Sequence, residues 1–265
     1  MAKSSRKPKL PPSLTAKRRG PIAILQLTRP QKRNAIDDTL ILGIETFFQS
    51  LGEDVRAVVI HGEGEHFSAG LDLSELTERG AAAAVAHSQV WHRVFNQMQF
   101  GRVPVIAVMH GAVVGGGLEL AAACHLRVAE RSTYYALPEG SRGIFLGGAG
   151  SIRLPRLIGV SRVMELMLTG CTYSAEEGQT YGLSHVLVED GKGLAKGVEL
   201  AERVASNAPL SNFAIMHVLP RIAESDTSSG SLTESLMAAV ASSSDEAKSR
   251  LKDFLEKRGK KVLPK

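Results

Sequence analysis

PVIAVMHGAVVGGGLELAAAC, residues 104–124, is the stretch that decides the fold. Residues 105–109 are continuously apolar, as in a strand covered on both faces. Gly115, Gly116 and Gly117 then interrupt the pattern, and the helix expected over 118–124 is apolar on every side except at Glu119. A helix of that composition belongs in an interior. A buried strand, a glycine turn and a buried helix in succession form a unit of an α/β domain.

The rest of the chain repeats this grammar. IAILQLT (22–28) and RAVVIH (56–61) read as strands, and helices are expected over 38–51 and 82–100. Further strands are expected at 126–129 and 134–137, with helices from 147 through 157, at 161–168 and at 192–206. A Ser-rich break near 224–231 precedes helices over 232–241 and 245–257. The organisation expected is a basic disordered tail over 1–19, an α/β core over 20–205 and a C-terminal helical region over 206–265.

The 265 residues carry a net charge of +5, distributed unevenly. Residues 1–19 contribute +7 and residues 246–265 contribute +5, so the body between them is acidic at −7. The Lys/Ser/Pro composition of the N-terminal tail reads as solvated disorder. A transit peptide would need an amphipathic apolar face, and nucleic-acid contact would be better supported by interleaved aromatics. Nucleic acid is therefore not the expected partner. No run of eighteen apolar residues predicts a membrane span. Two cysteines, Cys124 and Cys171, stand in apolar surroundings without a CxxC pair, which argues against a disulfide framework or a zinc ribbon. The expected compartment is the reducing cytoplasm, ahead of the mitochondrial matrix.

Glu119 is the first residue to suggest chemistry. An ionised carboxylate in an apolar helix costs several kcal/mol unless it is paired or used. The first turn of a helix eases that cost through its dipole, so a helix-capping or core-paired Glu is the competing reading. Glu139, in ALPEG, directly follows an apolar strand, where open α/β sheets place ligands. Taken alone it is an ordinary loop glutamate. Other schemes fail on spacing. HFSAG (66–70) lacks the first glycine of a nucleophile elbow. No histidines stand at i, i+3 or i, i+4, so no helical metal site is expected. GGAG (147–150) lacks the Lys-Ser/Thr of a phosphate loop and reads as close packing of the following helix.

Taken together, five segments resemble the crotonase (enoyl-CoA hydratase/isomerase) superfamily from about residue 20 to 260. HFSAGLDL (66–73) resembles its F-x-A-G-x-D-L/I segment, and GAVVGGGLEL (111–120) its G-x-x-x-G-G-G-x-E. LPEGSRGI (137–144) resembles P-E-x-x-x-G, and the glycine-rich helix start leads to Arg153-Leu154 at family spacing. TRPQKRNA (28–35) and FLEKR (254–258) resemble the flanking motifs.

The resemblance implies a fold and roles. The fold is a spiral of ββα units with a C-terminal helical region, assembled as a trimer or a dimer of trimers. The N–H groups of Leu71 and Gly116 form an oxyanion hole for a thioester carbonyl. Glu119 activates water, Glu139 delivers a proton, and the two titrate as a coupled pair. Lys32, Arg33, Ala69, Asp72, Leu73 and Gly117, with Phe254 and Lys257 near the C-terminus, lie along coenzyme A. Trp91, in SQVWHRVFNQMQF (88–100), flanks the acyl pocket with His92, Phe95 and Met98 at its helical spacing. An acyl-CoA thioester is the expected partner, with coenzyme A as part of the substrate and no metal or redox cofactor. Family isomerases usually lack the glutamate at position 119, so its presence favours hydration. Within the family, the 88–100 stretch and LPEGSRGIF most resemble methylthioacryloyl-CoA hydratases. Leu71 is bulkier than the usual alanine, and Leu146 precedes the glycines where proline is common. The competing functions are thioester hydrolysis or double-bond isomerisation on the same oxyanion hole, and RNA binding as in some homologues.

Overall fold

The computed structural model describes residues 9–75 and 80–256, which cluster into two units divided after Ala205. The first unit is built on a six-stranded sheet. Its elements are β1 (Leu14–Arg19), β2 (Ile22–Leu27), α1 (Asp38–Gln49), β3 (Ala57–Gly62), α2 (Ala81–Gln99), β4 (Val105–Met109), β5 (Ala112–Val114), α3 (Gly116–Ala122), β6 (Leu126–Glu130), β7 (Tyr134–Ala136), α4 (Gly150–Ile158), α5 (Val160–Thr169), β8 (Thr172–Ser174), α6 (Ala175–Tyr181), β9 (Val186–Val188) and α7 (Gly193–Ala205).

The large sheet runs β1-β2-β3-β4-β6-β9, parallel apart from the antiparallel β1–β2 pair. A small sheet, β5-β7-β8, stands beside it. Two successive turns of the chain each lay one strand in the large sheet and the next in the small one: β4 then β5 before α3, β6 then β7 before α4. This is the ββα spiral and the α/β class that the sequence motifs imply. Strand alternation sends Val58 and Ile60 into the larger core and Ala57 and Val59 into a second cluster, with Val198 and Ala201 of α7. Both faces of the central strands are therefore covered, which explains their unbroken apolar runs. α1 buries Leu40, Ile41 and Ile44 completely, each contributing about 1.5–3 kcal/mol. Its N-cap is Asp37, whose Oδ1 accepts from the Leu40 N–H at 2.7 Å.

Two expectations fail here. The basic stretch read as disordered to residue 19 forms β1 over its last six residues. Only Leu14 of β1 is buried; the strand is held by main-chain pairing to β2. Its cations stay in water, with Arg18 on Asp54 at 2.7 Å and Arg19 on Glu202 at 3.3 Å. A charged edge strand of this kind blunts edge-to-edge association and leaves no hydropathy signal.

The second unit is described by itself. It contains α8 (Pro209–Phe213), a π turn (Ala214–Val218), α9 (Leu219–Glu224), α10 (Thr227–Ser243) and α11 (Asp245–Leu255). The Ser-rich stretch read as a break is mostly the first turn of α10. Asp226 Oδ1 accepts from the N–H groups of Ser228 and Ser229, both at 3.0 Å. One capping carboxylate is enough to start a helix through residues of poor propensity. No helix among the described residues is long and apolar enough to cross a membrane.

Candidate active site

Three loops meet where the strands of the first unit end. Asn34, fully buried after β2, accepts from the Arg29 N–H and donates to the carbonyls of Glu63 and His66. It thereby ties the exit of β2 to the 63–75 loop that follows β3. Ser68 completes the junction: its Oγ donates to the Asn34 carbonyl at 2.8 Å, and its main chain bridges to Val113. A second bridge joins Ile36 to Leu71, in which the Ile36 N–H donates to Gly70 and the Asp72 N–H donates to Ile36. Those bonds engage the Gly70 carbonyl and the Asp72 N–H, and leave the Leu71 N–H between them with no acceptor among the described residues.

The N-terminus of α3 stands directly opposite. Gly116 is its first residue, so its N–H has no intrahelical acceptor. A Cβ added at Gly116 would lie 3.4 Å from the Leu71 nitrogen, so the two free amides are neighbours. They share a cavity of about 390 Å³ with Glu119, Glu139 and Trp91. The remaining wall is largely apolar, with Ala84 and Val85 from α2 and Ile144, Phe145 and Leu146 from the segment before α4. Two convergent main-chain donors and two carboxylates in an apolar cleft suit a carbonyl whose oxygen gains negative charge during reaction.

The two glutamates differ in their surroundings. Glu119 is 3% exposed, and its Oε1 accepts from the N–H groups of Gly148 and Gly150, both at 2.8 Å. Burial raises its pKa, opposed by those two amides and by the nearby charge of Arg153. Glu139, which follows β7 and opens a short 3-10 turn, is 6% exposed, and its Oε2 is buried without a hydrogen-bond partner. Burial pushes its pKa up to about 7, with the charge of Glu119 adding to the rise. The donors around Glu119 favour its anion against the effect of burial, whereas Glu139 has the help of its own main-chain N–H and keeps one oxygen without a partner. The two carboxylates of the cavity thus sit in unlike surroundings.

That asymmetry has a consequence for stability. An acid whose pKa rises on folding stabilises the fold below its ordinary value, and that contribution is lost as pH climbs to the raised one. For Glu139 the window runs from 4.5 to about 7. Glu139→Gln should therefore melt higher than wild type at about pH 8, with the gain shrinking toward pH 4.5. Calorimetric Tm values at the two pH values check this; a difference independent of pH would overturn it.

The other residues singled out in the sequence fall into different places. Lys32, Arg33, Ala69 and Asp72 come together, with the Ala69 N–H donating to the Arg33 carbonyl at 2.9 Å and Lys32 lying 3.9 Å from Asp72. The Asp72 carboxylate is held by Arg29 at 2.8 Å and by the Ser74 hydroxyl at 2.6 Å. The hydrogen bonds from the Ser74 hydroxyl and from Arg29 lower its pKa. Leu73 is exposed. Gly117 does not line the cavity: a Cβ there would stand 2.4 Å from the Ser68 carbonyl, so its smallness lets α3 approach the 66–73 loop.

Trp91 lines the cavity, whereas Phe95 and Met98, expected on the same wall, are fully buried core. A stripe of four side chains spread over two helical turns cannot all face one small cleft, and Phe95 and Met98 pack into the core instead. His92 sits beside Ser88 at 3.3 Å. Phe254 is exposed on the second unit, and Lys257 lies outside the described residues. Sequence reasoning missed His87, which lines the cavity beside Ser88, the first residue of the 88–100 stretch expected to flank it. His87 meets Asp38 at 2.6 Å, a pairing 49 residues apart that no local pattern announces. Among the described residues no cluster of His, Cys, Asp and Glu has the makings of a metal site.

A sequence model described as enoyl-CoA hydratase/isomerase matches residues 17–262. Among curated proteins, the chain is 29% identical to a short-chain-enoyl-CoA hydratase of Clostridium acetobutylicum, over 90% of this chain and 93% of that one. It is likewise 29% identical to a 2,3-dehydroadipyl-CoA hydratase of Escherichia coli K12, over 92% and 96%. A crystal structure from Rhodopseudomonas palustris CGA009, of a protein named provisionally as an enoyl-CoA hydratase, is 56% identical with a TM-score of 0.92. It covers 94% of this chain and 97% of its own. The chain belongs to the enoyl-CoA hydratase/isomerase family.

Proposed function

We propose that this protein adds water across the 2,3 double bond of short 2-enoyl-CoA thioesters. The observation that carries the reading is the pairing of two buried carboxylates of unlike surroundings with the adjacent N–H groups of Leu71 and Gly116 in one cavity. The thioester oxygen would accept from both amides, with the α3 dipole assisting the enolate. Glu119 takes a proton from water as the water oxygen bonds to C3, and Glu139 gives its proton to C2. The pair then carries its one proton on the other carboxylate, and exchange with solvent restores the starting state. The coenzyme would run along the main chain of Ala69–Leu73 toward Lys32 and Arg33. Assembly as a trimer or a dimer of trimers belongs to the same reading, and the exposed apolar stripe of Val160, Met164 and Leu168 on α5 suits such a contact.

Trp91 and Leu146 are bulky residues in the lining of the cavity of about 390 Å³, and they would act as a wall against a long alkyl tail. The resemblance to methylthioacryloyl-CoA hydratases points the same way. Each buried methylene normally favours a longer chain by about 0.8 kcal/mol, so a preference for short chains requires a steric wall. Crotonyl-CoA and 3-methylthioacryloyl-CoA should be hydrated with kcat/KM at least tenfold above decenoyl-CoA, read as loss of the conjugated-enoyl absorbance. Activity rising steadily to ten carbons would sink the short-chain assignment, and no turnover of any enoyl thioester would sink hydration itself.

A further inference from the structure

The carboxylate of Glu119 is oriented by groups that do not themselves reach the reacting atoms. Its Oε1 takes the N–H of Gly148, and that N–H belongs to the same peptide unit as the Gly147 carbonyl. Ser88 Oγ, on α2, donates to this carbonyl at 2.6 Å. Hydroxyl, peptide and carboxylate thus form one chain of hydrogen bonds, in which each donor polarises the next. The following peptide is held in the same way. Arg153 Nη1 donates to the Gly148 carbonyl at 2.9 Å, while Nε reaches Gln99 Oε1 and Nη2 reaches Asn96 Oδ1, both at 2.7 Å.

Arg153 is 5% exposed and forms no ion pair with a carboxylate among the described residues. A buried guanidinium surrounded only by neutral acceptors is costly on its own terms. Its charge is useful, however, where an anion must persist nearby, and Glu119 is the acid whose charge it stabilises. Between them, Ser88 and Arg153 hold the Gly147–Gly148 and Gly148–Ala149 peptides of a turn that enters α4 through Ala149 in the left-handed region, and the next peptide supplies the Gly150 N–H to Glu119.

We propose that Ser88 and Arg153 are positioning residues for the hydration step, fixing and polarising the Gly147–Gly150 turn so that Glu119 stays the ionised member of the pair with one oxygen left for water. The proposal rests on the two-glutamate reading above. The charged and titratable groups facing this network are Glu139 after β7, Arg153 and Arg156 on α4, Cys124 just after α3, and His92 beside Ser88 on α2.

Ser88→Ala removes the hydroxyl at little cost in volume. It should lower kcat about tenfold, leave KM for crotonyl-CoA unchanged, and move the acidic limb of the kcat–pH profile upward by about half a unit or more. Ser88→Thr, which retains the hydroxyl, should restore most of both. Arg153→Gln should shift the same limb further in the same direction, with Tm recorded alongside; should it fail to fold, the Ser88 pair alone decides. A Ser88→Ala enzyme with wild-type kcat and pH profile, tested beside an inactive Glu119→Gln, overturns the positioning role and leaves the glutamate mechanism standing. A raised KM at unchanged kcat also overturns it, assigning Ser88 to substrate contact. Near-normal turnover of Glu119→Gln would instead remove the reading on which the proposal depends.

Discussion

Glu119→Gln and Glu139→Gln are each expected to lower turnover by about a hundredfold or more while leaving affinity for a CoA thioester nearly unchanged. Glutamine keeps the size of the side chain and either orientation of its amide, so the 390 Å³ cavity and its apolar lining survive. At position 119 the amide oxygen can still accept from Gly148 and Gly150, as Oε1 does now. What is lost is the basicity that removes a proton from water. At position 139 the loss is of a transferable proton, held there because burial raises that pKa to about 7. Because one residue needs to be charged and the other neutral, the double variant should be little worse than either single one. Single-turnover rates with crotonyl-CoA, together with the dissociation constant of a saturated acyl-CoA, separate the chemical loss from any binding loss. A variant that turns over near the wild-type rate removes that glutamate from the mechanism.

The second large effect is expected at Gly70. Its φ of +85° is disfavoured for any residue with a side chain, at a cost of about 1–3 kcal/mol. The greater consequence is positional. A Cβ at Gly70 would stand 2.5 Å from the Val114 carbonyl and 2.9 Å from the Gly116 nitrogen. Both are backbone atoms, so the strain cannot be relieved by turning a side chain. Gly70→Ala must push the Leu71 and Gly116 amides apart, and losing one such donor typically costs about 10²–10³ in kcat. We expect a loss of that order, with Tm lower by several degrees and the loss persisting well below the melting transition. Unaltered kcat in a folded Gly70→Ala enzyme would mean that these amides do not bind the thioester oxygen.

The amino-acid sequence by itself determined the strands of the large sheet from β2 to β6, because their apolar runs reflect burial on both faces and need no knowledge of neighbours. It also determined the candidacy of Glu119, since a lone carboxylate in LELAAAC has no cheap structural explanation. Glu139 gained its place only through resemblance, because its local sequence looks like any loop. Tertiary structure alone decided the remainder. β1 depends on main-chain pairing to β2, which side-chain pattern does not record. Phe95 and Met98 share a helical stripe with Trp91, yet only packing shows that Trp91 meets the cleft and the other two the core. The Asp72 carboxylate meets Arg29, 43 positions earlier, a pairing that local sequence does not announce. The difference between the two glutamates is likewise tertiary. It lies in which carboxylate receives the N–H groups of Gly148 and Gly150 and which keeps a buried oxygen without a partner, contacts that bring together positions about thirty residues apart.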